Sequence, residues 1–509
     1  MEKSKLSSST SLTSLTSLSN NGYKIKKHQH KSSLIKECKE ELTVKPFTSS
    51  DFGVKNETKF SLFLESPNSL YLPRFYAQEK FGPPDQNKMS EGSDINIKFN
   101  GSLRKEQEPI VELYLDAAEK KGGGIISLKC GGGKTVLALY LLSVLKKKTV
   151  VVVHKDFLMT QWRDRILQFL PDARIGKIQQ NTIDVEDKDV VLAMVQSLSM
   201  KEYEPGVFDS FGLAIFDECH HLGAEVFSKA LPKVASKYML GLSATPNRKD
   251  GLRKVFEWYI GDLVYTSNAD DSKDEEVEVN IIEYYDDTHD YCKPELTYMK
   301  KPCCPLMINN VCEHQHRTEQ IYKKIKEVYD LGRKILILSD RRGHLDNILE
   351  WCNREIKGNV QGDVAGLYVG GMKPNDLRDS QEKDIILGTF SMASEGMDIP
   401  KLNTILLVSP KSDIVQSVGR IMREKPDQRT HHPLIIDYVD THPNFSVFER
   451  QSKKRLVHYN KMKYNISTYK DDGSVEKHER KKRGRKSKKD KELEIEINFD
   501  VDECLIDDD

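Results

Sequence analysis

A glycine-rich loop between an apolar strand and an apolar helix is the strongest local signal in the sequence. It reads Leu128-Lys129-Cys130-Gly131-Gly132-Gly133-Lys134-Thr135. Glycines let backbone N–H groups converge on phosphate oxygens, and the start of a helix adds the positive end of its dipole. Lys134 would then neutralise the β- and γ-phosphates of a nucleotide, and the Thr135 hydroxyl would bind Mg²⁺. The full pattern begins with glycine where this chain has Leu128, so a glycine-rich loop without nucleotide stays open as an alternative.

Two adjacent carboxylates, Asp217 and Glu218, follow another short apolar strand. Asp217 would complete the Mg²⁺ shell, and Glu218 would polarise the attacking water from hydrogen-bond reach. Solvated acids at a strand end are the plainer alternative. A metal site of Cys219, His220 and His221 is disfavoured, because three consecutive residues cannot all face one ion.

Two later segments would complete such a site. Ser243, Ala244 and Thr245 follow a strand, where small hydroxyl residues can link one site to another by hydrogen bonds. Gln416 precedes Arg420 and Arg423, which are three apart and would share one helix face. Two guanidinium groups on one face could clamp a transferring phosphate, although a solvated basic face has the same spacing. If these arginines and Lys134 act on one ATP, the site forms only when two separate parts of the chain close.

Short apolar strands alternate with helices on both sides of a polar stretch, which predicts two parallel sheets with both faces covered. The predicted strands of the first block are 125–128, 149–153, 190–193, 213–216 and 239–242. Those of the second are 334–338, 384–387, 404–408 and 433–437. The fold class is therefore α/β, with two tandem lobes and disordered N- and C-terminal tails.

Domain boundaries follow from shifts in composition. We predict a disordered Ser/Thr- and Lys-rich tail over 1–48, a small N-terminal element over 49–100, lobe 1 over 101–265, a linker over 266–310, lobe 2 over 311–450 and a tail over 451–509. In that last tail, residues 477–491 are basic and residues 492–509 are acidic.

Composition excludes several classes of protein. The 509 residues contain 78 Lys plus Arg and 78 Asp plus Glu, so net charge points to no partner. We expect no transmembrane helix, because no run approaches 18 uncharged apolar residues. Nine cysteines do not form a disulfide scaffold, and the N-terminus lacks the apolar core of a secretory signal. We therefore expect an intracellular, soluble protein.

Taken in order, these motifs resemble those of superfamily 2 helicases and translocases of the DExH type, whose two lobes are RecA-like. Arg104 and Gln107 resemble the adenine-sensing segment of that family. Gly396 and Asp398, in the run Glu395-Gly396-Met397-Asp398, resemble its segment coupling ATP to nucleic acid, and His220 joins Ser243, Ala244 and Thr245 as coupling residues. The residues that resemble nucleic-acid contacts are His154, Lys155, Gln161, Gln196, Arg341, Arg342 and Thr389.

Within the superfamily, the runs SATPNRKDGL and MASEGMDIPKLN are similar to those of phage and large-DNA-virus helicases related to the XPB-type translocases. This group includes the poxvirus-type transcript-release helicases. The resemblance implies a nucleic-acid-dependent ATPase using ATP and Mg²⁺, and we expect it to be a monomer. DNA is expected before RNA as the track, although motifs that bind the nucleic-acid backbone leave both open, and transcription machinery is the expected partner. A viral member would work in the host cytoplasm or the virion. A strand-annealing or branch-migrating remodeller and a catalytically idle nucleic-acid clamp or scaffold are the alternatives, and intact motif residues argue against the second.

Three features carry weaker signals. Cysteines and histidines between Cys292 and His316 could bind zinc, although their spacing does not form paired Cys-x-x-Cys motifs. Arg483 and Arg485 lie in a basic run that could tether DNA, direct nuclear import or simply be solvated. Cys130 lies near a helix start, where a thiol pKa can fall, so its alkylation could block ATP binding.

Overall fold

The computed structural model describes residues 16–44, 59–128, 131–219, 229–244, 253–267, 277–298, 300, 302–356, 362–395, 397, 399, 401–424 and 428–478. The chain divides into two compact units, residues 1–267 and 268–509. Each unit contains one large sheet, and the predicted α/β class with two mostly parallel sheets is confirmed. Within the described part of the chain, no helix is both long and apolar enough to cross a membrane.

The first unit begins with a small sheet in the order β5-β6-β2-β1-β7 and a two-stranded pair, β3-β4. The strands of this region are β1 (Thr16–Ser19), β2 (Gly22–Lys26), β3 (Thr43–Val44), β4 (Phe60–Ser61), β5 (Leu64–Glu65), β6 (Ser69–Leu72) and β7 (Gln86–Asn87). Two helices accompany them, α1 (Ser32–Glu41) and α2 (Arg74–Phe81).

The predicted disordered tail over 1–48 is wrong for residues 16–44, which form two strands of this sheet, a helix and β3. Alternating side chains explain the difference, because Leu18, Tyr23 and Ile25 are buried in one apolar cluster with Val255. The alternation of apolar residues with other residues spans only a few positions on each strand. In a Ser/Thr-rich segment so short a pattern was not recognised as a strand.

The large sheet of the first unit has the order β11-β10-β12-β9-β13-β14-β8-β15. Its strands are β8 (Gly123–Ser127), β9 (Thr149–Val153), β10 (Ile175–Gln179), β11 (Thr182–Ile183), β12 (Val190–Met194), β13 (Leu213–Phe216), β14 (Tyr238–Ser243) and β15 (Leu263–Thr266). The described helices around it are α3 (Glu108–Lys120), α4 (Lys134–Leu145), α5 (Asp156–Phe169), α6 (Val195–Met200) and α7 (Arg253–Ile260).

Strand β9 shows why an unbroken apolar run predicts a strand buried on both faces. Val151 and Val153 pack in one apolar cluster, whereas Val150 and Val152 pack in another. Side chains alternate along a strand, so consecutive valines supply both clusters at once. The carboxyl ends of β9, β13 and β14 lie at one edge of this sheet, and the segments that follow them hold the predicted site residues.

The sheet of the second unit has the order β18-β19-β17-β20-β21-β16-β22-β23. Its strands are β16 (Glu278–Tyr284), β17 (Ile335–Leu338), β18 (Ala365–Tyr368), β19 (Ile385–Gly388), β20 (Thr404–Leu407), β21 (Leu434–Asp440), β22 (Asn465–Tyr469) and β23 (Val475–Lys477). Its described helices are α8 (His289–Cys292), α9 (Cys304–Glu313), α10 (Gln315–Asp330), α11 (Arg342–Glu355), α12 (Pro374–Glu382), α13 (Phe390–Glu395), α14 (Val415–Val418) and α15 (Ser446–Lys461).

Two predicted boundaries of this unit need correction. The predicted linker over 266–310 contains β16, which pairs with β21 on one side and β22 on the other. The predicted tail after 450 contains β22 and β23, so the sheet extends beyond the lobe expected from sequence. Strand β16 contains Glu278, Asn280 and Glu283 among its apolar residues. Its sequence therefore could not be distinguished from the polar stretch that precedes it.

Candidate active site

The glycine-rich loop joins β8 to α4 in the context that the sequence predicted. Gly131 and Gly133 both have φ of +77°, a left-handed conformation that residues with a side chain rarely adopt. A Cβ at Gly133 would also lie 2.6 Å from Nε2 of Gln107. Glycine is therefore required at this position both by the backbone and by its neighbour.

Two side chains from upstream hold this loop by its carbonyl groups. Gln107 is buried, and its Nε2 donates to the carbonyl oxygens of Gly132 at 3.1 Å and Gly133 at 3.3 Å. Arg104 donates from its guanidinium to the carbonyl oxygen of Gly131 at 3.1 Å. Its backbone N–H in turn donates to Oε1 of Gln107 at 3.0 Å. The pair that resembles an adenine-sensing segment thus supports the phosphate loop directly.

Replacing Gln107 with Ala should weaken ATP binding about tenfold. The substitution removes both bonds to the loop carbonyls and the one accepted from the N–H of Arg104, so the carbonyl oxygen of Gly132 loses its side-chain donor, at a cost of about 1–3 kcal/mol. Equilibrium titration with a fluorescent ATP analogue would measure the change. Gln168→Ala, an exposed glutamine of the same unit, is the matched control and should bind as the wild type does. Equal affinity in both variants would contradict a supporting role for Gln107.

The acidic pair begins directly after β13. Asp217 is buried, and its Oδ2 accepts a hydrogen bond from Nε1 of Trp162 at 2.7 Å. Burial and the nearby Glu218 carboxylate raise the pKa of Asp217, while Lys134 and Trp162 oppose that rise. A buried carboxylate of this kind is stabilised by a cation, so Asp217 fits the predicted role of holding Mg²⁺ together with Thr135.

Glu218 connects three of the predicted motifs. Its Oε1 forms an ion pair with Nζ of Lys134, at the start of α4. Its Oε2 accepts a hydrogen bond from the backbone N–H of Ala244 at 3.2 Å. Ser243 is buried beside them, and its carbonyl oxygen accepts from the N–H of Leu128 at 3.0 Å. The phosphate loop, the acidic pair and the Ser-Ala segment therefore meet at one sheet edge.

The backbone of Glu218 is itself unusual. Its φ is +43°, in the left-handed region that non-glycine residues seldom occupy. Strained backbone of this kind concentrates at functional sites, where surrounding contacts enforce it. At Glu218 the side chain is held by the ion pair with Lys134 and the hydrogen bond from Ala244, and the backbone N–H donates to Oδ1 of Asp217 at 3.0 Å.

The first-unit residues that resemble nucleic-acid contacts are grouped around the start of α5. Nε2 of Gln196 donates to the carbonyl oxygen of His154 at 2.9 Å, so the segments after β9 and β12 are joined. Lys155 immediately precedes α5, which carries Gln161 and, one residue later, Trp162. The hydrogen bond from Trp162 to Asp217 is a contact that sequence reasoning missed. The adjacency of Trp162 to Gln161 was the only available signal.

In the second unit, Arg341 is fixed by its own surroundings. Its guanidinium donates to Oδ1 of Asn309, to the carbonyl oxygen of Pro305 at 2.7 Å and to that of Asp340 at 3.0 Å. Arg342 is exposed, and Thr389 lies next to the end of β19, with its hydroxyl 3.4 Å from that of Ser391. The structure thus holds Arg341 on α9 and leaves Arg342 open to solvent.

Arg420 has a different environment from the one expected. It lies in the 3-10 helix Gly419–Met422 and is buried, donating to the carbonyl oxygens of Ala393 at 2.6 Å and Met397 at 2.8 Å. Arg423 follows this 3-10 helix and is half-buried, as is Gln416 in α14. The described contacts of Arg420 therefore hold the backbone carbonyl groups of Ala393 and Met397.

Several predicted site residues lie outside the described part of the chain. They are Lys129, Cys130, His220, Thr245, Gly396, Asp398, Arg483 and Arg485. The predictions for them, including alkylation of Cys130 and tethering of DNA by the basic run, remain predictions.

A phosphate loop, an acidic pair and a Ser-Ala segment joined on a parallel sheet are typical of nucleoside-triphosphate-hydrolysing α/β proteins. Residues 100–248 match the family model for the res subunit of type III restriction enzymes. A fragment named as an HsdR subunit of a type I restriction enzyme from Vibrio vulnificus has a similar fold, with a TM-score of 0.50 and 16% identity. The match covers 74% of this chain and 71% of that structure.

Two relatives that match over most of this chain are viral. A protein of Acanthamoeba polyphaga mimivirus, named as an ATP-dependent RNA helicase, is 38% identical over 88% of this chain and 86% of its own length. A helicase of Invertebrate iridescent virus 6 is 27% identical over 74% of this chain and 85% of its own length. A DNA 3'-5' translocase of Sulfurisphaera tokodaii is 36% identical over 34% of this chain and 38% of its own length.

The chain belongs to the superfamily 2 helicases of large DNA viruses. It is an ATP-dependent helicase or translocase, which uses ATP and binds nucleic acid. The predicted superfamily and its viral branch are confirmed.

Proposed function

We propose that this protein is a translocase that tracks along DNA, hydrolysing ATP at the sheet edge of the first unit. The observation that carries the proposal is the placement of Glu218 between Lys134 and the backbone N–H of Ala244. One carboxylate thereby contacts both the residue proposed to bind phosphate and the segment proposed to transmit the reaction.

The contacts of Glu218 support a two-position role for Lys134. In the described state its ammonium group neutralises Glu218. The phosphates of ATP carry more negative charge than one carboxylate, so they would compete for the same ammonium group. Transfer of Lys134 to phosphate releases Oε1 of Glu218, which can then orient a water molecule and accept its proton. Oε2 stays on Ala244 and keeps the carboxylate in place.

The oxygen ligands Thr135 and Asp217 would hold Mg²⁺, which prefers hydroxyl, carboxylate and phosphate oxygens. When bound, the ion neutralises charge that develops on the phosphates. Trp162 orients the buried Asp217 through its indole N–H, which removes the freedom of this carboxylate to rotate away.

Helix α5 supports coupling between ATP and the track. Lys155 and Gln161, proposed to contact the nucleic-acid backbone, belong to the same helix region as Trp162. A shift of α5 on the track would therefore change the position of Trp162 against Asp217. Contacts to the phosphate backbone of a nucleic acid carry no sequence readout. Because these contacts are electrostatic, binding to the track should fall steeply as the salt concentration rises.

DNA is the proposed track because an archaeal relative, 36% identical over 175 residues, is named as a DNA 3'-5' translocase. The viral relatives named as RNA helicases make RNA the competing track.

A role in releasing transcripts is proposed from the resemblance to the poxvirus-type group. It predicts ATP-dependent release of RNA from stalled transcription complexes by the wild type and none by Lys134→Ala.

ATP hydrolysis should be measured without polymer and with single-stranded DNA, duplex DNA and RNA, for the wild type and Lys134→Ala. We expect strong stimulation by DNA that disappears in the variant. Stronger stimulation by RNA than by DNA would reject DNA as the track, but it would still support an ATP-driven translocase. Tight DNA binding without hydrolysis under any condition would instead favour the idle clamp.

A further inference from the structure

The second unit brings together two histidines and a carboxylate that the helicase motifs do not use. Among the described residues, Asp286, His314 and His316 each place one ligand atom within 4.8 Å of the other two. The cysteines expected nearby do not join them. Cys304 and Cys312 are buried elsewhere in the apolar packing, and the thiol of Cys292 lies 3.7 Å from the carbonyl oxygen of Asp287.

Asp286 presents one oxygen to this cluster and uses the other to fix its own position. Its Oδ1 accepts a hydrogen bond from the N–H of Thr288 at 2.8 Å, just before α8. Its Oδ2 lies 3.1 Å from Nε2 of His314 and 3.8 Å from Nδ1 of His316. The carboxylate is therefore oriented toward both imidazoles before any ligand arrives.

The histidines are positioned by the junction of two helices. His314 separates α9 from α10, and its ring packs 4.9 Å from that of Tyr291 and 5.9 Å from that of Tyr284, measured between centroids. His316 is the second residue of α10, and its side chain is 62% exposed, whereas that of His314 is 13% exposed. The cluster is thus rigid on its inner side and open to solvent on its outer side.

We propose that Asp286, His314 and His316 form a zinc site, with water as the fourth ligand. Zinc is bound by imidazole nitrogen and carboxylate oxygen at about 2.0–2.2 Å in tetrahedral geometry. Two ligands of such an ion lie about 3.3 Å apart by trigonometry from those bond lengths. The observed separations of 3.1 Å and 3.8 Å lie on either side of this value.

One existing contact must change when the ion binds. The hydroxyl of Tyr284 is 3.0 Å from Nδ1 of His316 and 3.3 Å from Oδ2 of Asp286. Zinc would take the lone pair of Nδ1, and the hydroxyl would keep Asp286 as its acceptor. Such a hydrogen bond to a coordinating carboxylate is the usual support of a zinc ligand.

The position of the site suggests what it stabilises. It would tie the segment after β16 to the start of α10 and the end of α9. The same helix, α9, supplies the carbonyl oxygen of Pro305 and the side chain of Asn309 that hold Arg341. A bound ion would therefore fix the helix that orients a candidate nucleic-acid contact.

The purified full chain should be stripped with a chelator, titrated with zinc against a chromophoric competitor and analysed for metal by mass spectrometry. We expect one tightly bound zinc per chain and a higher Tm with zinc than without it. His316→Gln should weaken zinc binding at least about 100-fold, because losing a ligand exceeds the usual effect of losing its supporting partner. His316 is largely exposed, so this variant should fold normally by circular dichroism.

His289→Gln is the matched control, since His289 is also exposed and lies 3.5 Å from an acid, Asp290. It should bind zinc as the wild type does. Cobalt should give the visible absorption of a tetrahedral site in the wild type and lose it in His316→Gln. Equal zinc affinity in the wild type and His316→Gln, or no stoichiometric zinc in the wild type, would overturn the proposal. His314 and Asp286 would then form a hydrogen bond only.

Discussion

Replacing Glu218 with Gln should leave ATP bound and lower its hydrolysis about 100- to 1,000-fold, within the range that a positioned general base contributes. The amide keeps the size of the side chain and can still accept a hydrogen bond from Ala244, but it cannot take a proton from water. It also ends the ion pair with Lys134. ATP affinity should therefore stay equal or increase, because the phosphates no longer compete with a carboxylate for that ammonium group.

Steady-state hydrolysis with the best stimulating polymer and equilibrium titration of ATP would separate these two effects. Glu202→Gln is the control, because Glu202 is an exposed acid of the same unit, 3.3 Å from Lys233. It should hydrolyse ATP at the wild-type rate. A Glu218→Gln variant that retains half the wild-type rate would show that another group activates the water. Loss of ATP binding would show instead that Glu218 shapes the phosphate loop.

The positions of the first unit's candidate site residues could be predicted from the sequence, because they lie in short runs beside strand ends. Lys134 begins a helix, and Asp217 and Glu218 follow an apolar strand. Such boundaries can be recognised in the amino-acid sequence. The contacts that orient them could not be predicted. Gln107 holds the loop from 25 residues away, and Trp162 reaches Asp217 across 55 residues. The packing of α5 and of the 3-10 helix Lys105–Gln107 in the first unit brings those side chains to the site.

The fold shows the same division. Strands β9 and β13 were predicted at their observed bounds, because each is apolar throughout and buried on both faces. Strand β16 was missed, although it is central in its sheet, because its buried residues alternate with polar ones after a highly charged stretch. The small N-terminal sheet was missed for a similar reason. Its apolar residues are few, and their burial depends on α7, more than 200 residues later.

Arg420 illustrates a limit on reading roles from spacing. Its distance from Arg423 suggested two cations on one helix face, but its guanidinium donates to two carbonyl oxygens in the interior of its own unit. A motif residue can therefore act by supporting a loop as well as by touching substrate. Spacing alone does not distinguish these roles, because both require an arginine at the same place.

Replacing Arg317 with Met should destabilise the second unit by about 3–5 kcal/mol, the usual cost of leaving one buried charge without its partner. Arg317 is fully buried and donates to both oxygens of Asp440, at 2.7 Å and 3.0 Å, and to the carbonyl oxygen of Val408 at 2.9 Å. Methionine fills similar space but leaves the Asp440 carboxylate, among the described residues, with the hydroxyl of Tyr291 as its remaining side-chain donor. Hydrogen exchange of β17 and β20 in increasing urea would measure the loss.

A second substitution separates the charge effect from a packing effect. Changing Asp440 to Leu in the Arg317→Met background removes the stranded carboxylate, so part of the lost stability should return, because apolar replacements of buried ion pairs are often tolerated. Arg354→Met, on the exposed face of α11, should unfold as the wild type does. If the double variant is less stable than Arg317→Met, the pair contributes through shape rather than charge. If the double variant regains stability, the Asp440 carboxylate destabilises the second unit only when Arg317 is absent.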